Sequence, residues 1–124
     1  MHEASLMGEL LAIVDRAART EGGGPVRTVH LRIGEMAGVN EDSLRFAFAV
    51  MSKGTAAEGS ELEIEKVPLR ARCAACGAQS NPADFVFRCP ACGSGDIMIL
   101  AGREMEVDYI LIGDRAPEPG DSVT

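Results

Sequence analysis

Apolar positions near the start of the chain recur with the period of an α-helix. Between Ser5 and about Arg19 they form two neighbouring rows spaced by four, three and four residues, with no Pro in the segment. This spacing puts the apolar side chains on one broad face. The pattern predicts an amphipathic helix that ends at Gly22–Pro25. The two rows are Leu6, Leu10, Ile13, Ala17 and Met7, Leu11, Val14, Ala18.

The next two segments predict a strand and a second helix. From about Val26 to Glu35 apolar and polar residues alternate, as in a strand with one buried face, and His30 falls on the polar, solvated face. A helical pattern follows from Asn40 to about Lys53. We interpret Asn40 as its N-cap, because an asparagine side chain can accept a hydrogen bond from the first turn.

A second strand is predicted from Glu61 to about Arg72, with a change of phase inside it. Leu62 and Ile64 lie on one face, whereas the apolar residues from Val67 onward are one step out of register. A one-residue slip exchanges the faces of a strand. We therefore expect a bulge or bend at 66–68, where the chain leaves one layer and enters another.

The end of the chain contains two further alternating segments and a polar tail. Strands are predicted at 96–101 and 104–112, and the second is long enough to return to the first sheet. Residues 113–124 contain two prolines and two glycines. This composition predicts a disordered tail.

All cysteines of the chain lie in two Cys-x-x-Cys pairs, twelve residues apart, and each pair is followed by glycine. Two such turns can surround one ion with four thiolates, which suits Zn²⁺, although iron can occupy the same shell. Two disulfides would require an oxidising compartment, and the start of the chain lacks the basic and apolar regions of an export signal. The predicted zinc ligands are Cys73, Cys76, Cys89 and Cys92.

These elements predict an α+β fold. Two helices pack on one face of a small, roughly three-stranded sheet, and a zinc-ribbon-like lobe is inserted into it. We expect one domain from residues 1–68 plus 103–112 and a zinc-binding domain at 69–102. The second has too few large apolar side chains to fold without the free energy of metal binding.

Charge and composition exclude several functions. The net charge is −7, with 19 acidic and 12 basic residues, and Trp is absent. Negative charge opposes nucleic-acid binding, and scarce aromatic residues disfavour base stacking. No apolar run approaches the length of a membrane span. We therefore expect neither a nucleic-acid nor a membrane partner. The charge argues against one alternative function, that of a nucleic-acid-binding zinc-ribbon module.

The first three residues offer a second kind of metal site. The terminal amine of Met1, the backbone nitrogen of His2 and the His2 imidazole can bind one ion in fused chelate rings, and Glu3 adds a carboxylate. Nitrogen donors in this arrangement favour Ni²⁺ or Cu²⁺ over Zn²⁺. An alternative without transferable metal, in which the zinc lobe is a structural adaptor and the amino terminus is inert, also accounts for the residues.

Several motifs together resemble the HypA/HybF family of hydrogenase nickel-incorporation proteins. They cover about residues 1–112 and include the opening Met1-His2-Glu3 and the four-cysteine block. The remaining matches are Ile33-Gly34-Glu35, Ser43 to Phe48, Glu58-Gly59 before Leu62-x-Ile64, and Pro90 within the second cysteine pair. The resemblance implies a cytoplasmic nickel metallochaperone that is not an enzyme.

The resemblance also implies ligands and partners. Met1, His2 and Glu3 would hold nickel, and the cysteines would hold structural zinc. Some members place an aspartate at the start of the second helix, where this chain has Asn40; Glu41 or Asp42 could substitute for it. The implied partners are the nickel-handling GTPase HypB, the hydrogenase large subunit and, in some members, urease maturation factors.

Overall fold

The computed structural model of this chain describes residues 2–82 and 86–113, apart from the side chain of His2. The described residues form two α-helices and six strands. They are α1 His2–Thr20, β1 Val26–Gly34, α2 Glu41–Met51, β2 Glu61–Val67, β3 Arg70–Cys73, β4 Gln79–Ser80, β5 Ile97–Ala101 and β6 Met105–Ile112. Beyond Gly113, the predicted disordered tail lies outside the described residues.

The chain divides into two compact units. Of the described residues, the first takes in 2–31, 40–64 and 107–113, and the second takes in 32–39, 65–82 and 86–106. Among the described residues, no helix has the length and apolar character needed to cross a membrane.

In the first unit, the two helices pack against each other through their apolar faces. Gly8 of α1 lies next to Met51 of α2, where an added Cβ would be 3.6 Å from the methionine methyl carbon. The predicted α1 is confirmed, but Ile13 is 40% exposed and lies off its buried face. On α2, Phe46 is 72% exposed, so this aromatic side chain lies outside the core. The buried helical side chains are Leu6, Met7, Leu10, Leu11, Val14, Ala18, Leu44, Ala47 and Phe48.

Two three-stranded sheets follow from the strand pairings. One has the order β2-β1-β6, and the other has the order β4-β3-β5 with β3 antiparallel to both neighbours. Ala71 in β3 pairs with Ser80 on one side and Ile99 on the other. The predicted α+β class, with two helices, a small three-stranded sheet and a zinc-ribbon-like lobe, is confirmed.

The break between β2 and β3 falls where the phase change predicted it. β2 ends at Val67 and β3 begins at Arg70, and the two strands belong to different sheets. Within the second unit, the N–H of Leu69 donates to Glu35 Oε1 at 2.8 Å. Gly102 lies against Leu69, because a Cβ there would be 2.7 Å from the Leu69 Cα. This close approach requires glycine.

Candidate metal centres

The two Cys-x-x-Cys segments fold into turns with the same hydrogen bonds. In the first, Cys73 N–H donates to Ala78 and Gly77 N–H donates back to Cys73, both at 2.8 Å. In the second, Cys89 N–H donates to Ser94 and Gly93 N–H donates to Cys89, again at 2.8 Å. The two glycines have φ of 80° and 78°, which an L side chain rarely adopts. Each turn, called a knuckle below, therefore depends on its glycine.

The knuckles bring the four sulfur atoms together as the spacing predicted. Cys73 Sγ lies 3.6 Å from Cys92 Sγ, and Cys76 Sγ lies 3.6 Å from Cys89 Sγ. All four sulfurs lie within 4.8 Å of one another. A tetrahedral ion with Zn–S bonds of ~2.3 Å holds its sulfurs about 3.8 Å apart. The observed spacing therefore fits Zn²⁺, and all four cysteines are free thiols rather than disulfides.

Backbone amides in the knuckles favour the thiolate form of one sulfur in each. The N–H of Cys92 outweighs burial and lowers the pKa of Cys89 to about 6. The N–H of Ser94 acts in the same direction on Cys92, but Cys73 Sγ and burial together raise the pKa of the Cys92 thiol to about 12. In the first knuckle the pKa of Cys73 is lowered, chiefly by the N–H of Cys76. Each knuckle thus offers a sulfur prepared for metal binding.

At the amino terminus, the structure brings the starts of the two helices together. α1 begins at His2, while Met1 lies outside the described residues. Glu3 Oε2 accepts a hydrogen bond from the backbone N–H of Asn40 at 3.1 Å. Asn40 Oδ1 in turn accepts from Ser43 N–H at 2.8 Å, so its predicted role as the N-cap of α2 is confirmed.

The two acidic residues in the first turn of α2 differ in their surroundings. Glu41 Oε2 lies 3.0 Å from Arg45 Nε in an ion pair of the i, i+4 type. Asp42 lines a groove together with Glu3, and the remainder of this groove is mainly apolar. Asp42 is therefore the acid of this turn that shares a surface with Glu3. The other lining residues are Ala4, Ser43, Phe46, Ala47, Val50 and Met51.

The surroundings of the His30 side chain were not predicted from the sequence. Its side chain is only 17% exposed and lies between Glu63 and Asp108, at 3.0 and 3.8 Å. Its ring also stacks on Tyr109, with centroids 4.6 Å apart. The expectation of a solvated histidine is wrong. The contacting residues come from other strands, and strand order cannot be obtained from alternation alone.

Comparisons with known proteins point to one family. A family model described as hydrogenase/urease nickel incorporation, metallochaperone, hypA matches residues 1–112. A hydrogenase maturation factor HypA from Chlorobaculum tepidum is 45% identical over 108 residues, which cover 86% of this chain and 95% of that protein. A factor of the same name from Roseiflexus sp. is 42% identical over 119 residues, covering 95% of this chain and 97% of the relative.

Solved structures agree on the fold. The solution structure of the Ni metallochaperone HypA from Helicobacter pylori has a TM-score of 0.67. It covers 90% of this chain and 97% of its own, at 22% identity. A solution structure titled HypA protein gives a TM-score of 0.68 with 90% of this chain covered.

Proposed function

This chain belongs to the HypA family of hydrogenase and urease nickel-incorporation metallochaperones, and from that membership we propose that its amino terminus holds Ni²⁺ as transferable cargo. It is a nickel metallochaperone of hydrogenase maturation with a four-cysteine site suited to zinc. The family match over residues 1–112 carries this conclusion. The family match does not favour the alternative functions of a zinc-ribbon adaptor or a nucleic-acid-binding module.

The proposed nickel ligands are the Met1 amine, the His2 backbone nitrogen and imidazole, and Glu3. The first four N–H groups of a helix have no acceptor within the helix. Because α1 begins at His2, its backbone nitrogen can bind a metal without the loss of a helical hydrogen bond. This availability supports the chelate.

Glu3 is proposed as an auxiliary ligand, with Asp42 as the acid best placed to assist it. Asn40 uses its side-chain oxygen as a helix cap, which argues against a ligand role. Glu41 is held by Arg45. Asp42 lines the same groove as Glu3, and its carboxylate is the better oxygen donor for a divalent ion.

We further propose that residues 69–102 form a domain whose folding depends on zinc held by the four cysteines. Among the described residues of this range, the buried apolar side chains besides two cysteines are Leu69 and Ala71. Such a small core cannot offset the entropy of ordering the backbone. Binding of a structural zinc ion contributes on the order of 10 kcal/mol.

The proposed partners are the GTPase HypB and the hydrogenase large subunit, with urease maturation factors as further recipients of nickel. We place the protein in the cytoplasm and assign it no enzymatic activity of its own. A role in hydrogenase and urease nickel incorporation supports these partners. The net charge of −7 disfavours nucleic acid as a partner.

Calorimetric titration of zinc-loaded protein with Ni²⁺ tests the amino-terminal site. We expect one tight site per chain that is lost in His2→Ala. An uncleaved amino-terminal extension should also weaken binding, because it removes the terminal amine, whereas a carboxyl-terminal tag should not. His30→Ala is the matched control, since the chain has two histidines. Tight binding that survives both His2→Ala and the extension would refute the proposal.

A further inference from the structure

A second group of metal-ligating side chains surrounds His30 in the middle of β1. Glu63 of β2 faces one ring nitrogen, with Nδ1 3.0 Å from Oε1. Asp108 of β6 faces the other, with Nε2 3.8 Å from Oδ2. Because β2 and β6 flank β1 in the sheet, carboxylates from both neighbouring strands face the imidazole.

The two distances imply different roles for the carboxylates. At 3.0 Å, Nδ1–H donates a hydrogen bond to Glu63, and in its neutral form the imidazole presents its Nε2 lone pair toward Asp108. The Nε2–Oδ2 distance of 3.8 Å is too long for a hydrogen bond. A lone pair and a carboxylate that face each other attract a cation into the space between them.

The space between Nε2 and Asp108 has the size that a bound ion requires. Ligand atoms ~2.0–2.2 Å from a common ion are about 3.4 Å apart in tetrahedral geometry and at most about 4.2 Å apart. Asp108 is 38% exposed, so an ion can enter from solvent. The Tyr109 ring lies parallel to the imidazole within 5° and fixes its plane.

We propose that His30 Nε2 and Asp108 form a second, open site for a first-row divalent cation such as Ni²⁺. Glu63 positions the imidazole through Nδ1, an arrangement common for histidine ligands of metals. Imidazole and carboxylate suit Ni²⁺ and Zn²⁺, and water completes the shell. This site does not depend on the amino terminus, because it shares no residue with it.

Tyrosine fluorescence reports on this site directly. Tyr109 is the one tyrosine of a chain without tryptophan, and its ring centroid lies 4.6 Å from that of His30. Ni²⁺ bound to the His30 imidazole would lie close enough to the Tyr109 ring to quench its emission. We expect saturable quenching with about one Ni²⁺ per zinc-loaded His2→Ala chain, in which His30 is the remaining imidazole.

Variants separate a metal site from a simple ion-pair cluster. His30→Gln should abolish the saturable quenching, and Asp108→Asn should weaken it at least about tenfold. Glu63→Gln should weaken it about 10- to 100-fold, the range for loss of a carboxylate that orients a histidine ligand. Glu61→Gln is the control, because it removes the same charge from an exposed position of the same strand.

Two results would overturn the proposal. One is quenching that persists in folded His30→Gln, and the other is quenching that is absent from the His2→Ala parent. If far-UV circular dichroism shows that His30→Gln does not fold, the Ni²⁺ affinity of Asp108→Asn is the deciding measurement. An affinity unchanged from that of the parent would show that the group is only an ion-pair cluster. A failure of the amino-terminal site shows separately, as a missing tight phase in the calorimetry.

Discussion

At the scale of single residues, the imidazole of His2, as a proposed nickel ligand, should set how nickel affinity responds to pH. The imidazole, amine and amide must all lose protons to bind the ion. Below ~6.5, the ordinary pKa of histidine, affinity should fall at least about tenfold per pH unit. Competition titrations against a chelator between pH 8 and 5.5 measure this slope. A flat profile would exclude a histidine-anchored site.

The knuckle glycines should also be sensitive to substitution. Gly77 has φ of 80° and nothing within 4 Å of an added Cβ, so Gly77→Ala costs backbone strain alone, about 1–2 kcal/mol. We expect faster zinc loss to a chelator, observed with a colorimetric dye. Gly95→Ala is the control, because that glycine is equally open but has no positive φ. Equal rates of zinc loss from Gly77→Ala and Gly95→Ala would contradict the assignment of backbone strain to position 77.

At the scale of elements, Gly8 in α1 and Gly34 at the end of β1 should respond oppositely to alanine. Gly8 lies inside α1, where Gly8→Ala should raise the free energy of unfolding by about 0.5–1 kcal/mol, since alanine favours helix and the methyl fits against Met51. Gly34→Ala should lower it by more than about 2 kcal/mol, because its Cβ would overlap the Gly102 carbonyl. Urea unfolding measures both changes.

Periodicity predicted the long elements because apolar and polar residues recur regularly along the sequence of each one. The predicted Asn40 cap and the break near Pro68 are both confirmed, since each depends on local chemistry. β4 was not predicted, because Gln79–Ser80 is too short to show alternation. The exposure of Phe46 was not predicted either, because an apolar residue at the edge of a helical stripe can face core or solvent.

The candidate sites show the same limit. The cysteines carry their spacing within one segment of sequence, so the clustering of their four sulfur atoms was predicted. Glu63 and Asp108 are separated from His30 by 33 and 78 positions along the chain, and only the strand order β2-β1-β6 brings them to it. Contacts of this kind depend on pairing that a single sequence does not reveal.

At the scale of the whole molecule, removal of zinc should affect the two units unequally. Chelation under reducing conditions should abolish amide-exchange protection in β3 and β5, because their small core lacks the metal's contribution. Protection in α1 should persist, since its buried face consists of ordinary apolar side chains. Hydrogen exchange followed by NMR measures both, and zinc re-addition is the control. Unchanged protection in β3 after verified zinc loss would contradict this expectation.

The start of α1 at His2 also bears on how readily nickel would leave the proposed amino-terminal site. Backbone dipoles give a helix about half a positive charge at its first turn, which disfavours a cation there by roughly 0.3–1 kcal/mol. Glu3, in that same turn, offsets this repulsion. A partner that drew the Glu3 carboxylate away would leave the ion facing the uncompensated field, and unloading could begin without any direct attack on the histidine.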